Sequence, residues 1–481
     1  MKKLSELTSG FVYDAYHLND DMVFIIREID AKELLNYRRL DVIAKLMYLE
    51  LREKCPAHAE ALYLEHIRAM TRDSFVEAGS NKSGKEAFLK SFQDLYEDMK
   101  EHGYREDQLP IPVDKDMCLM DGAHRTACAI ALNKPVTIIQ LPVSAEYDCY
   151  DYQYFRERTM EESYLDEIVL EYIRRSDHNC CINLWPSAKG HDEETRALID
   201  KYFTVFYEKE IVLNENGAFH YLAQIYKEYS WAQNHDQDGF SGVYRKLVPC
   251  FPTFDPVRVF FVKVREFDSL VQIKEEIRDI YHLEKHSMHA TDNDQETREM
   301  AEILLSGETI RFLNACQPLK FPNTFELLAQ TSAHDPGKTI YTGSIVLALY
   351  GIRQAEDLDY LSLEDDENSH NKYLDLYEMR LEEAFCDPAR SFVYFDNRFL
   401  TLDVIRNFKK NRDEGKDRDD LKLIDLVLSS NGQEDPQIKK IQARRRRIAR
   451  IQGVILKTAH KTGTYDLLRK IYHVVKGKQK S

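Results

Sequence analysis

Apolar residues recur every three or four positions at Leu40, Ile43, Met47 and Leu51, and again at Phe88, Phe92, Leu95, Tyr96 and Met99. This spacing predicts a mainly helical first hundred residues, with the second helix stopping at Gly103. The pattern then shortens. Leu109–Val113 reads as a strand, Asp114–Asp116 as a turn and Met117–Met120 as the strand's partner; a helix over about Arg125–Leu132 and a strand Val136–Leu141 complete an α/β unit, 1–145. Pro142 and the acidic, Tyr-rich stretch Glu146–Tyr154 mark the exit from it.

Residues 146–325 alternate predicted strands (Cys181–Leu184, Tyr202–Tyr207, Val257–Val264) with predicted helices (Ala218–Tyr229, Val271–Ile280, Gln295–Leu305). Pro318–Pro322 opens a third unit, 326–435, where an apolar helix, Ser344–Tyr350, precedes a strand, Asp357–Leu361, and the charged segment Glu364–Asn371 forms a loop. The expected fold class is multidomain α/β, and 481 residues suit several domains of roughly 100–200 residues each.

Composition narrows the function classes. With 43% apolar and 31% charged residues the chain is neither a low-complexity disordered protein nor a fibrous one. No apolar run approaches the ~18–20 residues a membrane span needs. The opening MKKLSELTSG has no apolar stretch after its lysines, so the expected location is cytoplasmic. Nine scattered cysteines without a Cys-x-x-Cys pair read as reduced thiols.

Charge is unevenly placed. From Ile438 to Ser481, 14 Lys/Arg face one acid, Asp466, so this stretch carries +13 and leaves −29 on the preceding residues against a total of −16. Residues 436–481 therefore read as a basic tail. Within it Leu467, Leu468, Ile471, Val474 and Val475 alternate with Arg469, Lys470, Lys476 and Lys478, as in an amphipathic helix that lies on an anionic membrane surface. Peripheral attachment at the inner membrane face is the expectation. Nucleic acid is the rival polyanion, disfavoured by the scarcity of stacking aromatics beyond Tyr465 and Tyr472.

The sharpest local motif is Asp121-Gly122-Ala123-His124-Arg125 between a predicted strand and helix. Glycine admits close backbone approach, a helix start offers unpaired N–H groups, and His and Arg add charged donors; together they make a phosphate cradle. With Ile111-Pro-Val and the Ala-rich helix, this motif resembles the ParB/sulfiredoxin superfamily. The resemblance covers about Ser74–Leu141 and implies a nucleotide site at Asp121, Gly122, His124 and Arg125. Some members of that superfamily bind DNA and CTP, whereas others are ATP-dependent kinases for free serine. By resemblance to the serine kinases, Glu77 in Ser74-Phe-Val-Glu-Ala-Gly-Ser80 takes the place of a catalytic general base, with Lys82 or Lys85 neutralising nucleotide charge. The acids that follow, among them Asp148, Asp151, Glu157 and Glu161, argue against DNA as a partner.

A second motif pairs Gly343-Ser344 at a helix start with Asp357 and Asp359, whose alternate spacing on a strand points both carboxylates to one face. Over about Thr339–Ile424 this resembles the nucleotidyltransferase superfamily, which implies nucleotide binding at Gly343 and Ser344 and Mg²⁺ shared by Asp357 and Asp359. Asp396 and Asp403 compete as the third carboxylate. Lys409, Arg412, Lys416-Asp417 and Asp420 look like the Lys-Asp pair some members carry after the core. A third cluster, His286, His289, Asp292, Asp294 and Glu296, allows a metal site on a helix, although Asp292 with Gln295 reads better as an N-cap and capping box.

The combined expectation is a bifunctional enzyme using ATP or another nucleotide with Mg²⁺: a kinase of a small hydroxyl compound fused to a nucleotidyltransferase-like domain that handles a nucleotide or phosphorylated substrate. Bacterial surface-polysaccharide precursor synthesis would suit such a fusion. Two alternatives stand beside it, a nucleotide-gated ParB-like binding protein and a nucleotidyltransferase-type toxin acting on RNA or protein.

Overall fold

The computed structural model describes residues 3–77, 82–105, 108–145, 149–232, 240–265, 267 and 270–430. The basic tail expected over 436–481 lies outside the described residues. Among those described, no helix is long and apolar enough to cross a membrane.

The chain is mixed α/β with three small sheets. In the first, β1 (Ile25–Asp30), β2 (Ile111–Val113) and β3 (Pro135–Gln140) are ordered β1-β3-β2. Around them pack α1 (Leu40–Leu51), α2 (Pro56–Thr71), α3 (Lys85–His102) and α4 (Ala123–Ala131). β2 and β3 run parallel, with α4 as the crossover helix. Proline at the first position starts α2, and Gly103, at φ 72°, ends α3. The edge strand β1 escaped the periodicity because only Ile29 along it is buried. The Met117–Met120 strand reduces to one bridge, Val113 to Leu119, because Asp114 accepts the amides of Asp116 and Cys118 and folds the segment into a tight turn.

The second sheet joins β4 (Asn179–Leu184), β5 (Thr204–Ile211), β6 (Val257–Lys263) and β7 (Met288–Ala290) in the order β5-β6-β4-β7, antiparallel throughout. Helices α5 (Glu162–Arg175), α6 (Glu215–Ile225), α7 (Asp294–Leu304) and α8 (Gly307–Ala315) accompany it. Tyr202 ends a helix, Asp192–Tyr202, so the strand predicted from Tyr202 starts at Thr204. His286 and His289 do not share a helix: His289 lies in β7 and bonds Glu296, and the cap of α7 is Asn293, not Asp292.

The third sheet, β8 (Thr339–Thr342), β9 (Asp359–Ser362), β10 (Ser391–Tyr394) and β11 (Asn397–Leu400), is ordered β10-β11-β8-β9 and carries α9 (Ser344–Leu349), α10 (Leu402–Arg412) and α11 (Asp417–Ser430).

One apolar core runs through the second and third sheets and reaches the first unit through its helices. It joins Leu40, Ile43 and Met47 of α1 to Ile168 and Tyr172 of α5, Phe312 of α8 and Phe392 of β10. The opposite side of α1, with Val42, Leu46 and Leu49, packs into the first unit's own core. A helix buried on both sides has no polar face, which is why an amphipathic reading of it was incomplete. Phe325 belongs to the shared core as well, so apolar packing is continuous past residues 145 and 325.

Candidate functional site

Gly122 occupies the turn between the β2 hairpin and α4 in the left-handed region, φ 90° and ψ 24°. That backbone angle favours glycine, and a side chain there would also crowd the Arg125 guanidinium, 3.0 Å from an added Cβ. α4 starts without a side-chain cap, which leaves its first N–H groups available to an anion. Asp121 braces the turn: it accepts from the Gly122 amide at 2.6 Å and from Ser9 Oγ at 3.3 Å. Arg125 is anchored by the Leu109 carbonyl (2.6 Å) and Tyr104 Oη (3.1 Å), with the rest of its guanidinium folded over the glycine.

His124 is not the charged donor its sequence context suggested. Burial holds its basicity well below the usual imidazole range, and Lys45 and Lys82 nearby push it further down. The ring is neutral at pH 7, pairs through Nε2 with Tyr63 Oη at 3.1 Å and lies edge-on to Phe92. Arg125 is therefore the cation of the motif.

Glu77 and Lys82 face each other across a small hairpin in which the Glu77 amide donates to the Lys82 carbonyl and Gly84 donates to Phe75. Their side chains pair at 3.0 Å. Glu77 lies near enough to Tyr63 and Lys45 to act on both electrostatically, so hairpin and glycine turn share one neighbourhood.

Beneath them is a buried polar network that sequence reasoning missed. Asp41 takes Arg39 in a two-pronged pair at 2.9 and 3.0 Å and Lys45 at 2.9 Å, and Lys45 approaches His66 Nε2 at 3.4 Å. Arg39 also reaches the Leu119 carbonyl and lies over the Tyr150 ring. The available signal was Asp41 and Lys45, one helical turn apart, inside an otherwise apolar stretch.

The second motif assembles at the end of β8. Gly343 leaves the strand at φ 70° and ψ −131°, a combination reserved for glycine, and any Cβ would collide with the Asp359 carboxylate. β9 is antiparallel to β8 with Thr342 opposite Asp359, which sets that acid beside the turn. Ser344 Oγ donates to Asp357 Oδ1 at 3.0 Å. The two acids thus flank the Gly343-Ser344 turn, although Asp357 precedes the strand rather than lying on it. His370 Nε2 holds Asp359 at 3.0 Å, and Tyr377 bonds both Thr342 (2.9 Å) and His370 (3.4 Å). His370 and Tyr377 carried no sequence signal.

Neither proposed third carboxylate joins this site. β11 runs parallel to β8, so the two-residue turn that holds Asp396 lies at the far end of the sheet, where Asp396 pairs with Lys227. Asp403 starts α10 and pairs with Arg311 at 2.6 Å. Lys416 is exposed and faces Glu414, whereas Asp417 turns inward. There Lys409 binds Asp417 and Asp420 at 3.1 and 2.9 Å, with Arg412 on Asp417 and Arg353 on Asp420.

Among the described residues no three His, Cys, Asp or Glu side chains are disposed to hold a metal by themselves. Asp357 and Asp359 fit the other mode of Mg²⁺ binding, in which one or two carboxylates act with the phosphate oxygens of a bound nucleotide. Gly343→Ala is expected to cost about 2–3 kcal/mol through its forbidden backbone angles and to displace Asp359; an unchanged melting curve for this variant would contradict the tight turn. Compared with known protein families, curated proteins and solved structures, the chain matches none.

Proposed function

We propose that the chain is a bifunctional nucleotide-dependent transferase. Its first unit transfers phosphate from ATP to a small hydroxyl compound, and its third is a nucleotidyltransferase-like domain acting on a nucleotide or phosphorylated substrate with Mg²⁺. The supporting observation is the convergence at Gly122 of an uncapped helix start, the Arg125 guanidinium and the Glu77–Lys82 hairpin. Polyphosphate binding asks for the first two. Phosphoryl transfer to a hydroxyl asks for a carboxylate that can take its proton, and Lys82 can pass from Glu77 to the incoming phosphates.

The third unit brings two carboxylates to either side of a glycine turn, which suits one metal shared with a triphosphate. Surface-polysaccharide precursor synthesis at the inner membrane face, reached through the basic tail, is the setting we infer for such a pair of activities. The test is ³¹P NMR of the full-length protein with ATP, Mg²⁺ and a pool of small hydroxyl compounds. A new phosphomonoester signal supports the kinase; ADP and inorganic phosphate without such a product would favour a nucleotide-gated binding protein, and label on RNA or protein a toxin.

A further inference from the structure

A cavity of about 510 Å³ opens where α1 of the first unit meets the second and third units, between α1, α5, the start of α8 and the β10–β11 hairpin. Its volume is that of a small-molecule site, which typically spans about 300–1,000 Å³. Seven carboxylates and three cations line it. Each carboxylate has a basic partner within 4.0 Å, and two of the cations are spoken for, Arg174 by Glu302 and Lys209 by Asp166.

Arg398 is the exception. Among the described residues its one hydrogen bond is from Nη1 to Ser391 Oγ at 3.2 Å, and no carboxylate pairs with it. Arg398 is half-buried, and burial pulls its basicity down, only partly countered by Glu302. A guanidinium carries five N–H donors, and here the Nε–Nη2 edge, the one that grips two oxygens at once, is unspent.

The backbone adds a second feature on the same wall. Arg398 sits opposite Val393 in the hairpin register, and the Val393 amide donates to Thr309 Oγ1 at 3.0 Å, in the first turn of α8. That nine-residue helix presents Ser306 and Gly307 to the cavity; Gly307 has open space where a side chain would stand, and Arg311 draws the Glu308 carboxylate to itself. A helix start and an unpaired guanidinium facing one cavity attract the same charge.

We infer that this cavity binds a small anion presenting two oxygens, a carboxylate or a phosphoryl group, on the Nε–Nη2 edge of Arg398 beside the start of α8. The assignment stands apart from both nucleotide sites and does not depend on them. It gives the protein a ligand site walled by elements of all three units.

The test compares thermal melting of the full-length protein in about 20 mM sodium acetate or sodium phosphate with sodium chloride of equal ionic strength, for wild type, Arg398→Met and Arg398→Lys. Wild type is expected to gain about 2 °C or more in at least one of the two anions, and Arg398→Met none beyond chloride. A gain in acetate alone identifies a carboxylate ligand, and a gain in phosphate alone a phosphoryl one. Arg398→Lys keeps the charge and loses the paired edge, so it should lose most of the gain and decides the matter if Arg398→Met does not fold. Equal gains in wild type and variants, or no gain over chloride in wild type, would overturn the assignment.

Discussion

Replacing Glu77 by Gln should lower the phosphoryl-transfer rate by at least about 100-fold, the lower end of what a positioned general base contributes, while leaving the affinity for ATP within about twofold. The split follows from where the parts sit. In the proposed function the α4 amides and Arg125, which is anchored on Leu109 and Tyr104, would hold the polyphosphate. Glu77 instead acts toward Tyr63 from its own hairpin, tied to Lys82 at 3.0 Å. Glutamine preserves size and hydrogen bonding but cannot accept a proton from a substrate hydroxyl, so kcat should fall and binding should not. Equal kcat in Glu77→Gln and wild type would remove Glu77 from the chemistry.

The second large effect is structural. Asp41 is 1% exposed and is the counter-ion of both Arg39 and Lys45, themselves buried. Burial alone would raise its carboxyl, yet the two cations hold it far below the ordinary carboxylate range. Asp41→Asn strands two positive charges away from water, and breaking a buried pair in this way costs about 3–5 kcal/mol. The loss should appear as a lower midpoint in the first thermal transition; an unchanged midpoint would show that water reaches the network.

Acid should act on the same kind of contact in the third unit. Burial raises Asp417, but its hydrogen bonds to Arg412 and the charge of Lys409 outweigh burial and bring it down to about 2. A depressed carboxylate gives its full stability above its ordinary value of 3.8 and loses it as pH falls through about 2, so the Lys409–Asp417–Arg412 contacts should hold at pH 5 and fail progressively below pH 4.

What was legible in the sequence follows from what each signal depends on. The Gly122 and Gly343 turns were readable because glycine, a helix start and a polar cluster are all local. β4, with every residue buried, was readable from Cys180-Cys181-Ile182 and Leu184 despite Asn179 and Asn183; β1, exposed along all but Ile29, shows no apolar alternation. Asp396 was misplaced because strand order decides which end of a sheet a turn occupies, and β11 pairs parallel to β8, a long-range fact. His124 was read as charged because burial and the nearness of Lys45, 79 positions earlier, are tertiary. Arg398 depends on helices and strands from three units meeting around one cavity and had no local mark at all.

The measurement that bears most directly on two separate activities is the fate of each phosphorus of ATP. Full-length protein is incubated with Mg²⁺, candidate acceptors and ATP labelled with ³²P at either the γ or the α position, alongside the Glu77→Gln and Asp359→Asn variants. The account predicts that γ label passes to a small hydroxyl compound and is lost from it only in Glu77→Gln, and that α label passes to an acceptor and is lost from it only in Asp359→Asn. Release of γ label solely as inorganic phosphate, with α label remaining on free nucleotide in every sample, would contradict it.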